Sequence, residues 1–171
     1  MESVSRFLRS KYFWYSFAVL TVAVYLFGLT IPLLGPDEPR YAQVAREMFD
    51  RSDWVTPTLG GFSWFEKPAL LYWLQMSSYG IFGVNEFAAR FGSALFGLGT
   101  IACLWLLGEN FVSPNKDVKI ENGFGNYLAL IAASTLGIIV FSRGASFDII
   151  LTFPITAACV SYFLFDHISL I

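Results

Sequence analysis

The sequence predicts an all-α fold, a polytopic membrane helical bundle with further helices lying at the membrane surface. Three observations carry that prediction. The chain of 171 residues is 56% hydrophobic and only 14% charged, whereas a soluble domain carries about 25% charged residues. Its mean hydropathy of +0.58 places it in the membrane class. Its apolar residues come in runs long enough to cross a bilayer, separated by polar stretches.

The first run, Phe13 to Leu34, follows the cations Arg6, Arg9 and Lys11. It exceeds the ~7–15 residues of a signal-peptide core, suffices for a bilayer of ~30 Å, and precedes no small-residue cleavage site. It reads as a retained anchor, a span over about 13–34. Further spans are predicted over about 87–108, 124–142 and 148–166. Gly92, Ser93, Gly97 and Gly99 in the second of these, and Ala132, Ala133, Ser134 and Gly137 in the third, allow close helix approach. Pro154 in the last is tolerated as a kink.

Residues 35–86 form the long connection, in which two interfacial helices are predicted, about 39–50 and 68–83. Pro39 suits a first helical position, and an acid before it can cap free N–H groups. Tyr41, Val44, Ala45, Met48 and Phe49 make one apolar stripe, with Arg40, Gln43, Glu47 and Asp50 mostly opposite. "RSDWVTPTLGG" then turns the chain, with Trp54 as a headgroup-level anchor. The segment 68–83 is uncharged but short for a span and rich in Tyr, Trp, Ser and Gln. If it does not cross, the N-terminus and the 109–123 loop share one face, taken as cytoplasmic from Arg6, Arg9, Lys11, Lys116 and Lys119. The 35–86 loop is then extracytoplasmic.

Net charge is −2, which gives no basic surface for nucleic acid. Cys103 and Cys159 fall in apolar runs and read as small hydrophobes. A single histidine, His167, cannot build a His-based metal site or a catalytic triad.

The chemistry concentrates in "GPDEPRYAQ" and "WFEKP". Capping needs only one acid, yet Asp37 and Glu38 stand side by side. Glu66 and Lys67 open the next apolar segment, and Asp148 opens the last span. Ionisable groups at membrane depth are costly unless paired or solvated, which makes them functional candidates. The predicted topology brings Asp37, Glu66, Lys67, Arg143 and Asp148 to one face. Carboxylates there can take a proton from a nucleophile; Arg40, Lys67 or Arg143 can hold an anionic headgroup. Trp64, Tyr72 and Trp73 read as interfacial belt residues or as the lining of a sugar pocket. Arg90 reads as an interfacial anchor.

These two motifs, with "FGVNEFAARFGSALFG" after them, closely resemble the N-terminal part of the protein mannosyltransferase-like glycosyltransferases, nearest the bacterial lipid A aminoarabinose transferase branch. The resemblance runs from about residue 30 to 165. It implies that residues 1–171 are the N-terminal part of a C-type glycosyltransferase membrane domain in a bacterial inner membrane, its site facing outward. It implies an inverting transfer of sugar from a polyprenyl-phosphate donor to an extracytoplasmic acceptor: lipid A, another glycan lipid or a protein. By motif, Asp37 is the catalytic acidic residue, the base or the group that orients the acceptor. Glu38, Arg40, Tyr41, Glu66 and Asp148 support it, and Lys67 binds the donor lipid phosphate. No metal, nucleotide or other cofactor is expected; the partners are the donor, the acceptor and membrane lipids. Such enzymes are several times longer, so the chain is expected to be a fragment holding half a site. The alternative reading is a non-catalytic accessory protein or a lipid-flipping component.

Overall fold

A computed structural model describes residues 11–111 and 123–169, with side chains through Asp166. Arg6, Arg9, Lys116 and Lys119, used above to orient the chain, lie outside the described residues, as does the side chain of His167. Among the described residues the protein is an all-α membrane bundle with one small hairpin: α1 Lys11–Leu26, α2 Asp37–Asp50, β1 Thr58–Leu59, β2 Phe62–Ser63, α3 Leu70–Phe82, α4 Glu86–Glu109, α5 Phe124–Ser134, α6 Leu136–Ser142 and α7 Phe147–Ser169. Of these, α4 and α7 are long and apolar enough to cross a membrane, and α5 with α6 forms a third, bent candidate.

At the centre stands α4, and its glycines explain why. A Cβ on Gly92 would strike Leu74 of α3, one on Gly97 would strike Ser142 of α6, and one on Gly99 would strike Phe153 of α7. Near its end, Gly108 meets the backbone of Gly125 in α5. Small residues thus let four helices approach one. In α5, Ala132 and Ala133 are buried as their size suggests, whereas Ser134 is exposed, and Gly137 in α6 has open space around it.

Two predicted spans differ in form. The first helix stops at Leu26 rather than Leu34, because Gly28 adopts φ +71° and the chain leaves the helical path. The freed carbonyls are not left bare. Arg143 donates to Phe27 O at 2.9 Å, and Arg90 donates to the carbonyls of Leu29, Ile31 and Pro32. The 124–142 segment breaks at Thr135 with a bend of 63°. There the Thr135 hydroxyl donates to Ile131 O at 2.7 Å and the Ser134 hydroxyl to Leu130 O at 2.8 Å. Such back-bonding bends helices without any proline.

The apolar stripe of α2 is spent on protein rather than on lipid. Tyr41, Val44, Ala45 and Met48 are buried in one core with Leu71, Tyr72, Met76 and Tyr79 of α3, Ala88 and Ala89 of α4, and Ile149 and Ile150 of α7. A second core, farther along the bundle, joins Tyr25, Ile101, Ala129, Ala132 and Ala133. α3 has only 13 residues, about 20 Å of helix, too short to cross a hydrocarbon layer of ~30 Å.

Candidate active site at the mouth of the bundle

Where α2, the 27–34 turn and the α6–α7 junction meet, they enclose an open cavity of about 550 Å³. Asp37, Glu38, Tyr41, Lys67, Asp148, Arg90 and Arg143 all line it. Five of the seven sequence-predicted site residues are therefore brought together. The other two, Arg40 and Glu66, sit one contact behind. Arg40 approaches Asp37 at 3.4 Å and Glu66 at 3.9 Å, and Glu66 approaches Lys67 at 3.8 Å.

The adjacent carboxylates have opposite surroundings. α2 begins at Asp37, two residues before the predicted start, with Pro36 at the N-cap and no side-chain cap bond. The Asp37 side chain is 62% exposed and faces the cavity. Glu38 turns inward, 14% exposed. Its carboxylate accepts from Arg90 at 2.6 and 3.3 Å, from Leu34 N at 2.7 Å and from Ala145 N at 2.8 Å. Burial pushes the Glu38 pKa up; the Arg90 hydrogen bond and the two backbone donors outweigh it and hold the group below the usual carboxylate range. Glu38 therefore ties three chain segments together rather than capping a helix.

Arg90 corrects the reading of an interfacial anchor: it is 1% exposed, and its guanidinium bonds Glu38 and three backbone carbonyls. A signal for this existed in the sequence. An arginine in an apolar helix requires a carboxylate, and the "DE" pair offered one acid more than capping needed.

Asp148 sits in the first turn of α7. The Ser146 hydroxyl accepts from Asp148 N at 3.1 Å and donates to the Asp148 carboxylate at 2.7 Å. This fixes the acid at the cavity wall and caps the helix. Tyr41 packs edge-on to Phe147 at 4.7 Å. Burial first, then the nearby Asp37 and Glu66 charges, push its phenol pKa up. Of the aromatics read as belt or sugar pocket, Tyr72 is neither: it is fully buried against Phe147. Trp64 lies under the Arg40 guanidinium at 5.8 Å, and Trp73 donates to Trp54 O at 2.7 Å.

The sequence pattern of the dolichyl-phosphate-mannose-protein mannosyltransferases matches residues 32–170, taking in every charged side chain of this site. The chain belongs to that family. Among its relatives are the undecaprenyl phosphate-alpha-4-amino-4-deoxy-L-arabinose arabinosyl transferases of Shewanella sediminis and Yersinia enterocolitica. The first is 35% identical over 83% of this chain and 25% of the relative, the second 38% identical over 86% and 26%. The crystal structure of ArnT from Cupriavidus metallidurans bound to undecaprenyl phosphate superposes with a TM-score of 0.65 at 29% identity, covering 82% of this chain and 25% of that one. Its apo form gives 0.66. The chain thus spans about a quarter of the length of the mannosyltransferase-family members it matches.

Proposed function

We propose that this chain supplies the donor-side half of a membrane glycosyltransferase site, which moves a sugar from a polyprenyl phosphate to an extracytoplasmic acceptor with inversion. The observation that carries the reading is the cavity holding an exposed acid, Asp37, together with Lys67 and Arg143, at the mouth of an apolar bundle. Family membership supports it, as do the relatives' names and the undecaprenyl phosphate bound by the structural neighbour.

The chemistry follows from the positions. The bond between the anomeric carbon and the phosphodiester oxygen breaks and polyprenyl phosphate departs, so negative charge grows on the departing oxygen. Lys67 stabilises that charge, with Arg143 also lining the cavity. The acceptor oxygen attacks the anomeric carbon from the opposite face. If it is a hydroxyl, Asp37 takes its proton as the bond forms. If it is an anionic phosphate, Asp37 orients it. Arg40 holds the Asp37 carboxylate in place, and Asp148, fixed by Ser146, supplies a further acceptor for sugar hydroxyls. Acceptors carrying such nucleophiles include lipid A, other glycan lipids and protein, reached from the outer face of a bacterial inner membrane.

Asp37→Asn tests this in the full-length protein in membranes, with a polyprenyl-phosphate sugar as donor. Normal abundance with transfer lowered at least ~100-fold is expected, the range for a lost general base. Undiminished transfer would remove Asp37 from the chemistry.

A further inference from the structure

We propose that Glu47 is a positioning residue: it clamps the 58–63 hairpin onto α2 and so sets where Lys67 stands relative to Asp37. The inference rests on the reading of Lys67 as the donor-phosphate contact. Glu47 lies ten residues along α2 from Asp37, about 15 Å at 1.5 Å per residue, and outside the cavity. Its carboxylate nevertheless accepts four hydrogen bonds, as many as Glu38 does at the other end of that helix. One oxygen accepts from Gln43 Nε2 at 3.0 Å and from Gly60 N at 2.8 Å; the other accepts from the Thr58 hydroxyl at 2.7 Å and from Gly61 N at 3.3 Å. Four donors fill the capacity of an ionised carboxylate.

The hairpin is shaped to receive it. Gly60 and Gly61 adopt φ +60° and +82°, the pair of left-handed conformations of a two-residue I′ turn. Successive amides in such a turn point to one side and form an anion-binding concavity. Thr58 and Leu59 pair with Ser63 and Phe62. The Thr58 hydroxyl, while donating to Glu47, accepts from Arg51, which also donates to Thr56 O at 2.8 Å. Trp64 N then bonds Pro57 O at 2.8 Å, three residues before Lys67. Of the tip pair, Phe62 is 80% exposed and Leu59 packs, only partly buried, against the core. The Glu47 carboxylate adds the directional bonds that fix the turn amides and Thr58 on α2. Burial pushes the Glu47 pKa up, but the Thr58, Gln43, Gly60 and Gly61 donors lower it to about 2, so the clamp stays ionised at any physiological pH.

The test is steady-state transfer by the full-length protein in membranes with varied undecaprenyl-phosphate-linked sugar. Glu47→Gln puts amide hydrogens against one of the two glycine N–H groups, whichever way the amide is turned. It is expected to raise the donor KM about tenfold while kcat changes less than about twofold, the signature of a displaced binding group. Thr58→Val should raise it in the same sense and Thr58→Ser should restore it; this pair carries the test if Glu47→Gln fails to accumulate. Amide exchange at Gly60 and Gly61 should quicken in Glu47→Gln and Thr58→Val alone. A wild-type donor KM in both variants, with Lys67→Ala still raising it, overturns the positioning role and leaves the donor reading intact. Donor KM indifferent to Lys67→Ala overturns both.

Discussion

Two ionic regions lie side by side at the bundle mouth, and adjacent residues begin them. The knot of Glu38 and Arg90 is buried and closed: Arg90 is 1% exposed, and the contacts run at hydrogen-bond distance to Leu29, Pro32, Leu34 and Ala145. The rim of Asp37, Arg40, Glu66 and Lys67 is open, with separations of 3.4 to 3.9 Å and side chains between 32% and 62% exposed. Close, desolvated ion pairs with every lone pair used specify shape. Looser pairs in water are worth little to folding and can exchange partners with a ligand. One dipeptide thus divides its labour, Glu38 holding the cavity together and Asp37 facing into it.

The sharpest way to break this contrast is Arg90→Ala. It strands the Glu38 carboxylate and three backbone carbonyls in a buried place, and losing one partner of such a pair costs about 3–5 kcal/mol. Abundance in membranes and the thermal midpoint in detergent should fall steeply. Arg90→Lys should recover little, since a point charge cannot serve the same fork of acceptors. Near-wild-type stability of Arg90→Ala would show that the knot does not hold the 27–34 turn.

Much of this was legible in the sequence, and the parts that were not have a common cause. Hydropathy and helical period gave the long helices and the α2 stripe, since both depend on local composition. The DE and EK motifs gave the cavity-lining acid and cation. Four things depended on residues far apart in the chain. The partner of Glu38 is 52 positions away. The arginines that let the chain leave its helix after Leu26 come from positions 90 and 143. The hairpin received by Glu47 is recruited from 11 to 14 residues on. Tyr72 is buried by Phe147, which no local pattern records. The break at Thr135 is the exception: adjacent Ser134 and Thr135 were visible, but their hydroxyls bend a helix only when they bond back to its carbonyls.

A smaller effect sharpens the knot further. Gly144 approaches Glu38 so closely that an added Cβ would sit 2.9 Å from Oε1. Gly144→Ala should push the carboxylate off Arg90 and off Ala145 N. Overpacking of this kind costs about 1–3 kcal/mol. The same change in Glu38→Gln, where the tie is already weakened, should cost less, and the non-additivity read by thermal melts would place the strain at that carboxylate. Equal losses in both backgrounds would place it elsewhere.

The smallest effect belongs to the rim and tests the other half of the contrast. Arg40→Gln removes a guanidinium from Asp37 and Glu66, at 3.4 and 3.9 Å. Because these groups remain in contact with water, the stability change should stay below about 1 kcal/mol and shrink further in high salt. A double-mutant cycle of Arg40→Gln with Glu66→Gln should give a coupling energy in the same small range. Transfer should nonetheless fall, because Asp37 loses the cation that orients it, and that loss should appear in kcat. A coupling above about 2 kcal/mol would mean that the rim is bonded as firmly as the knot. In that case Asp37 would not be free to meet an acceptor, and the division of roles between neighbouring carboxylates would have to be abandoned.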